Sequence, residues 1–232
     1  YPPTVEDGVV VDDLEYAEMQ EFSQELGNFL NAMPDNPKKT SLLEVVAQIK
    51  QGVAEKVPGI EISSLTQKLK AELIESYQMV VGPARVPDMS NVRALYETDC
   101  SSCHGLLGYG DGPLASSLEI PPSNFHQMDR QYSRSVFDLY NTITLGVSGT
   151  PMPGFPQLND EQRWALSLMV SHYSGSDEQR EKGKLLWQQG QLHDAFPAMS
   201  NLTGMSYAKA EELGEEAGVD GKAILVYLRS NP

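Results

Sequence analysis

The stretch Cys100-Ser101-Ser102-Cys103-His104 decides how the rest of this 232-residue chain is interpreted. It holds the only two cysteines of the sequence. Two thiols spaced in this way lie on one helical turn, so each can form a thioether with a vinyl group of a haem. The histidine that follows is then placed to give its imidazole to the iron. We therefore predict one covalently attached haem c, bound through Cys100 and Cys103, with His104 as an axial ligand.

Two other interpretations of the cysteine pair fit less well. A zinc site needs further soft ligands, and the sequence contains no other cysteine. A thioredoxin-like redox pair needs a βαβ setting, whereas the flanking sequence lacks the alternating pattern of strands. Haem attachment is the interpretation that needs no missing residue.

A second stretch supplies a candidate for the other axial ligand. Residues 146–155 read Gly-Val-Ser-Gly-Thr-Pro-Met-Pro-Gly-Phe, with Met152 between Pro151 and Pro153. The two prolines fix φ and stiffen the loop that carries the thioether. Most of the nine methionines are expected to fill cores, but this one lies in a turn-rich segment without helical period. We predict Met152 as the sixth ligand.

The three remaining histidines are interpreted as surface or capping residues, because His104 and Met152 already fill both axial positions. They are His126, His172 and His193. His126 is the reserve ligand if Met152 is not one.

Helical periodicity and capping signals run through the whole chain, and strand-like alternation is nearly absent, which predicts an all-α protein. Helix starts are predicted at Asp12 or Asp13, at Ser41 with Glu44, at Ser63 or Ser64, at Asn91, at Asn159 or Asp160, at Ser176 or Asp177, at Ser206 and at Asp220. Amphipathic helices must bury their apolar stripes against one another. We predict a haem domain over 88–174, inserted into one helical bundle formed by the chain ends 1–87 and 175–232.

The first predicted helix combines an apolar arc with carboxylates. The arc consists of Met19, Phe22, Leu26, Phe29 and Leu30; Glu18, Glu21 and Glu25 run beside it, and Glu15 falls inside it. One interpretation is a solvated acidic face, with Glu15 paired to a basic side chain from elsewhere. The other is a cation site in which Glu15 and Glu18 act with partners from other helices, since carboxylates suit hard ions.

Charge narrows the choice of partners. Asp and Glu total 32 against 17 for Lys and Arg, which gives a formal net charge of −15. A protein that binds the phosphate backbone needs the opposite sign, so nucleic acid is excluded as a partner. Cationic redox proteins and metal cations fit instead. No apolar run approaches the ~18 residues of a membrane span.

Residues 88–174 resemble a class I cytochrome c. The resemblance implies a compact helical fold with crossed terminal helices and His/Met ligation of the iron. In that family a proline after the attachment helix accepts the Nδ1–H bond of the axial histidine, and Pro113, within Gly112-Pro113, matches its position.

The run Glu15-Tyr16-Ala17-Glu18-Met19-Gln20-Glu21-Phe22 resembles the periplasmic N-terminal region of bacterial high-affinity iron permeases, as does 139–144 running into 149–153. This resemblance implies a periplasmic protein, tethered to the inner membrane through a C-terminal region outside this chain. It implies a ferroxidase-like role in which electrons leave ferrous iron, ferric iron passes to a permease partner, and Glu15 and Glu18 gather non-haem iron.

Two alternatives come from other functional classes. The first is a respiratory electron carrier whose acidic helical module only docks a redox partner. The second is an enzyme or gas sensor with an open haem face, which Met152 disfavours because such chemistry needs a free iron position.

Overall fold

The computed structural model describes residues 4–6, 8–79 and 81–232, and this part of the chain is predominantly helical, which confirms the all-α class. Its contacts divide the chain into two compact units, Tyr1–Val80 and Val81–Pro232. None of the helices in these ranges is both long and apolar enough to cross a membrane.

The first unit pairs a minimal antiparallel ladder with three helices. The strands are β1 (Val5–Glu6) and β2 (Val9–Val10), with Val5 opposite Val10. The helices are α1 (Asp13–Ala32), α2 (Lys39–Glu55) and α3 (Gly59–Ser76). Helix α2 lies between the other two in the contact pattern and buries the apolar stripe Leu42, Val45, Val46, Ile49 and Val53.

Local chemistry explains where these helices begin. The Asp12 carboxylate accepts hydrogen bonds from the backbone N–H groups of Leu14 and Glu15, so the predicted cap is confirmed. The predicted capping box at Ser41 is wrong, because the Ser41 hydroxyl donates to the Lys38 carbonyl at 2.8 Å and α2 has already begun. Helix α3 starts at Gly59 rather than at Ser63 or Ser64, and Pro58 precedes its first turn in an extended conformation with φ −51° and ψ 139°.

The buried face of α1 differs from the predicted arc. Ser23 and Leu30 are buried and Met19 and Leu26 are partly buried, at the spacing of one helical face. Phe22 and Phe29 fall beside this face and are 56% and 68% exposed. The prediction included them because an apolar arc drawn on one helix cannot show which part of the arc a neighbouring helix covers.

The second unit contains nine α-helices and two 3₁₀ turns within residues 81–232. The helices are α4 (Val92–Asp99), α5 (Ser101–His104), α6 (Met128–Gln131), α7 (Val136–Leu145), α8 (Asp160–His172), α9 (Asp177–Gln188), α10 (Met199–Gly204), α11 (Tyr207–Ala217) and α12 (Gly221–Ser230). The 3₁₀ turns are Ala115–Ser117 and His193–Ala195. The predicted caps Asn159, Ser176, Ser206 and Asp220 are all confirmed by side-chain bonds to backbone N–H groups.

Two sets of packed helices make up this unit. Helices α4 and α7 pack against α8, and their shared core surrounds the predicted attachment site. Helix α12 packs against α9, α8 and α11, so the C-terminal helices are joined to the same core. The contact pattern thus groups residues after 174 with the haem region. The segment boundaries 1–87, 88–174 and 175–232, and the bundle joining both chain ends, stay predictions.

Candidate functional site

The attachment stretch forms one helical turn at the end of α4. Cys100 joins α4 to α5, and its carbonyl accepts hydrogen bonds from the N–H groups of Cys103 at 3.2 Å and His104 at 2.9 Å. The side chain of Tyr96 is fully buried, and its hydroxyl donates to the Gly105 carbonyl at 2.8 Å. This bond connects α4 to Gly105, the residue that follows His104. The attachment turn is therefore held by α4 before it and by this hydrogen bond after it.

Both thiols and His104 line a cavity of about 400 Å³, and Met152 lines it as well. Its apolar wall comes from α7, α8 and the loops between helices: Leu118, Ile120, Phe125, Leu139, Ile143, Val147, Phe155, Leu166 and Val170. An apolar cavity with a few polar groups is the usual form of a cofactor site. The tertiary structure therefore brings together all four residues predicted to hold the haem.

The His104 imidazole is held in one tautomer. Its Nδ1 lies 3.1 Å from the Ser123 carbonyl oxygen, which can only accept, so Nδ1 carries the proton. Nε2 is then the unprotonated nitrogen, the form that binds a metal. Burial lowers the pKa of His104, and the Ser123 bond opposes this only in part. The ring also stacks on Phe125, with centroids 4.5 Å apart and planes 21° apart.

This geometry corrects the role predicted for Pro113. The acceptor of the His104 Nδ1–H bond is Ser123, and Pro113 is exposed. Gly112 instead contacts the attachment helix, since its N–H donates to the Cys103 carbonyl at 3.1 Å and a Cβ there would lie 2.4 Å from the Ser102 carbonyl oxygen. The Gly112-Pro113 segment therefore packs onto the end of the attachment helix, while the loop after Pro122 reaches the imidazole.

The electrostatics of Cys100 are unlike those of a redox-active cysteine. Burial raises the pKa of its thiol to about 12, with further contributions from Asp99 and Cys103. Thioredoxin-like nucleophiles need a pKa lowered toward neutrality or below. A neutral thiol on the wall of an apolar cavity fits attachment to a porphyrin better than disulfide exchange.

Met152 is carried by a loop that closes on itself. The Val147 N–H donates to the Met152 carbonyl at 3.0 Å, and the Met152 N–H donates to the Thr150 hydroxyl at 3.2 Å. Gly146 has φ +75°, and a Cβ at this position would lie 2.7 Å from the Met152 carbonyl oxygen. Only glycine combines this conformation with so close an approach. The loop thus holds the thioether against the cavity.

The donor set fits a haem. Two thiols on one turn match the two vinyl groups, and a neutral imidazole and a thioether match the two axial positions of the iron. A haem bound there would supply a one-electron iron couple. The residues that would hold it are Cys100 and Cys103 through their sulfurs, His104 through its imidazole and Met152 through its thioether, and the apolar wall would exclude water.

The other histidines have hydrogen-bond partners and do not line the cavity. His126 Nε2 lies 2.8 Å from the Leu107 carbonyl, and its ring stacks on Tyr109 with centroids 4.1 Å apart. The remaining two are held by Ser230, 3.0 Å from His172 Nδ1, and by the Trp187 carbonyl, 2.7 Å from His193 Nε2. His126 is therefore held by a carbonyl oxygen and an aromatic ring outside the cavity lining, and its role as a reserve ligand stays a prediction.

Glu15 and Glu18 are both exposed on α1, so the placement of Glu15 within a buried arc is wrong. The reason is the same as for Phe22. The face of α1 that is buried runs through Ser23 and Leu30, to one side of the predicted arc. Within the described ranges, no three His, Cys, Asp or Glu side chains converge into a group that could hold a metal ion. The non-haem iron site stays a prediction.

Several site residues escaped the sequence analysis. Ser123 and Phe125 position His104, and Arg130 and Arg134 line the cavity. One signal was available: Ser135 and Asp138 form a capping box that starts α7, the helix that forms one wall. The sequence before Ser135 shows no helical periodicity. The contact of that segment with the cavity therefore could not be predicted from its own residues.

Comparison with known proteins agrees with this geometry. The profile of the cytochrome c family matches residues 89–172. Cytochrome c55X of Paracoccus denitrificans is 34% identical over 96 residues, which cover 39% of this chain and 81% of that protein. The chain belongs to the cytochrome c family. It is a haem-containing electron-transfer protein, and the bound group is haem c.

A solved structure is also similar to this cytochrome. It is a chain of the reducing HAO-like protein complex of Kuenenia stuttgartiensis, with 30% identity and a TM-score of 0.34. The match covers 51% of this chain and 60% of that chain, so this cytochrome spans less than two thirds of that protein's length.

Proposed function

We propose that this cytochrome is a monohaem electron carrier with His104 and Met152 as the two axial ligands. The observation that carries the proposal is the composition of the cavity wall. His104 and Met152, which lie far apart in sequence, line the same cavity as Cys100 and Cys103. With both axial positions filled, no site on the iron is open to a substrate, so the chemistry is outer-sphere electron transfer. A redox partner protein follows from this activity.

Substitution of Met152 tests the ligand assignment. The oxidised wild type should show the charge-transfer band at the red end of the visible spectrum that reports sulfur on ferric haem iron. Met152→Ala should abolish the band and shift the reduction equilibrium toward the ferric state, because a methionine ligand raises the potential. Met169→Ala is the matched control, since Met169 packs on the same core without lining the cavity. A band that survives Met152→Ala would refute His/Met ligation.

We propose that α1 docks the redox partner. On one side of this helix Leu14, Phe22 and Phe29 are 73%, 56% and 68% exposed, and Glu15, Glu18, Glu21 and Glu25 are exposed among them. We call these seven residues the α1 surface. Exposed apolar groups within a field of one sign are characteristic of interaction sites, and the negative sign calls for a cationic partner.

The rate of electron exchange, measured at several salt concentrations, tests whether the α1 surface docks a redox partner. A basic, lysine-rich cytochrome c serves as the partner, and electron exchange is followed by stopped flow. Glu18→Gln combined with Glu25→Gln should slow association and flatten its dependence on ionic strength. Glu55→Gln combined with Glu61→Gln removes the same charge from exposed positions elsewhere in the first unit. Equal effects of the two pairs would show that only net charge matters.

We propose, as a second and finer candidate, a link to ferrous iron oxidation and uptake through a membrane permease, in the periplasm. Its support is the resemblance of 15–22, and of 139–144 running into 149–153, together with the acidic charge of α1. Ferrous titration separates it from a plain respiratory carrier. Fe(II) should reduce the ferric haem, and Glu15→Gln with Glu18→Gln should raise the Fe(II) concentration required. If Fe(II) fails to reduce the haem, the link to iron is discarded.

A further inference from the structure

The loop that carries Met152 has few backbone hydrogen-bond donors. Proline has no N–H group, so within Pro151-Met152-Pro153 only Met152 can donate from its backbone. The two prolines restrict the local dihedral angles, but they cannot attach this segment to its surroundings through N–H bonds. The position of the Met152 thioether therefore depends on what the single N–H group and the carbonyl of Met152 contact.

Thr150 supplies the acceptor for this N–H group. Its hydroxyl oxygen lies 3.2 Å from the Met152 nitrogen, which donates to it. The same hydroxyl donates to the Val147 carbonyl at 2.9 Å, and the Thr150 N–H donates to that carbonyl at 3.2 Å. One side chain thus joins the first turn of the loop to the residue that carries the thioether.

The Met152 carbonyl has a partner of its own, since it accepts from the Val147 N–H at 3.0 Å. The end of the loop is attached to α7, because the Phe155 N–H donates to the Ile143 carbonyl at 3.0 Å. Removing the Thr150 hydroxyl would leave Met152 with one of its two backbone bonds, while the end of the loop stays attached. The hydroxyl is therefore the contact that can change the position of the thioether without unfolding the loop.

A second threonine on the cavity wall serves as a comparison. Thr142 lines the cavity, as Thr150 does, and both are partly buried. The Thr142 hydroxyl donates to the Asp138 carbonyl at 2.9 Å, one turn earlier in α7. That bond lies within a helix whose backbone bonds already fix it, so it adds nothing to the position of Met152. The two threonines share a wall and a chemistry, but only the Thr150 hydroxyl bonds to the loop.

We propose that Thr150 is the positioning residue that keeps Met152 on the haem iron and thereby closes the sixth position to other ligands. This role rests on haem binding and on the His104/Met152 ligation proposed above. An added ligand such as imidazole binds only after the bond from iron to sulfur has broken, and its nitrogen then forms the new bond without a change in oxidation state. Its apparent dissociation constant is therefore inversely proportional to the fraction of molecules in which the Met152 loop is open. A contact that favours the closed loop raises this constant by the factor by which it lowers the open fraction.

Titration of the ferric holoprotein with imidazole, followed by haem absorbance, tests this role. Thr150→Val keeps the branched shape but removes the hydroxyl, and should lower the apparent dissociation constant about fivefold, the factor expected for one hydrogen bond. Thr150→Ser, which keeps the hydroxyl, should stay within about twofold of wild type. Thr142→Val is the matched control and should also stay within about twofold. Equal effects of the two valine variants would overturn the proposal.

Hydrogen exchange of the Met152 amide measures the bond itself. In the ferrous holoprotein, Thr150→Val should raise the exchange rate of this N–H about fivefold, because its acceptor is gone, while Thr150→Ser should leave it protected. An equal rate in wild type and Thr150→Val would overturn the proposal even if imidazole binding changes. If Thr150→Val does not accumulate with haem, Thr150→Ala, which lacks the hydroxyl without adding a methyl group, should give the same two shifts.

The outcomes separate the role of Thr150 from the assignment of the axial ligands. Covalent haem staining and the methionine charge-transfer band are recorded for every variant before titration. A wild type without the band contradicts His/Met ligation, and the role of Thr150 falls with it. A band present in every variant, with equal affinities for imidazole, contradicts only the role of Thr150.

Discussion

Substituting Gly183 tests the packing of α9 against α12. Gly183 lies inside α9, where helix propensity alone favours alanine by about 1 kcal/mol. In the structure, however, a Cβ at this position would lie 1.9 Å from the Ala223 carbonyl oxygen on α12. The obstacle is backbone, so no side-chain rotation relieves it. Helix α12 would have to move by more than about 1 Å.

The magnitude follows from the surroundings of this contact. Ala223 and Ile224 are fully buried, so a displaced α12 loses close packing on its far side. Overpacking typically costs about 1–3 kcal/mol and sometimes more. Taking the upper end and subtracting the propensity gain, we expect Gly183→Ala to lower the free energy of unfolding by about 2 kcal/mol. In a unit of this size, that corresponds to a melting temperature about 4–8 °C lower.

Denaturant unfolding, followed by circular dichroism and by haem absorbance, measures this change. Gly27→Ala is the matched control, because Gly27 also lies inside a helix and the nearest atom to its added Cβ is a Val46 methyl carbon at 3.9 Å. It should stabilise its unit by about 0.5–1 kcal/mol. If Gly183→Ala proves as stabilising as Gly27→Ala, the close approach of α9 and α12 is refuted.

Two further substitutions probe single contacts by the same unfolding assay. Tyr96→Phe removes the buried bond to the Gly105 carbonyl and should cost about 1–1.5 kcal/mol, whereas Tyr132→Phe on the surface should cost less than about 0.5. Asp220→Ala removes the α12 cap and the 2.7 Å contact with Lys182 and should cost about 1 kcal/mol. Burial raises the pKa of Asp220. Its hydrogen bonds and the charge of Lys182 together lower the pKa by more than burial raises it, so the net shift is downward. The stability from its carboxylate is therefore present above the unfolded pKa of ~3.9 and lost as the pH falls through the folded value. Asp220→Asn should fall below wild type in stability at neutral pH, and this difference should shrink below pH ~4; a difference that grows with acidity would contradict the sign.

The attachment stretch that lines the cavity could be recognised in the sequence because the chemistry of haem attachment is local. Two thiols and an imidazole within five residues share one helical turn whatever the rest of the chain does. Met152, which the fold places on the wall of the same cavity, could be proposed for a related reason, since its flanking prolines stiffen the loop by covalent structure alone. Capping residues such as Asn159 and Ser176 were equally visible, because each satisfies N–H groups only a few positions away.

What the tertiary structure decided depends on contacts between distant segments. The acceptor for His104 is Ser123 rather than Pro113, because only the folded chain shows which loop reaches the imidazole. The covered face of α1 excludes Phe22, since a neighbouring helix selects part of a broad apolar arc. The hold of Arg229 on the backbone of Arg134 crosses from the last helix to the haem cavity. Its physical reason is burial: a guanidinium removed from water must find acceptors wherever the fold supplies them, and no sequence pattern records where that is.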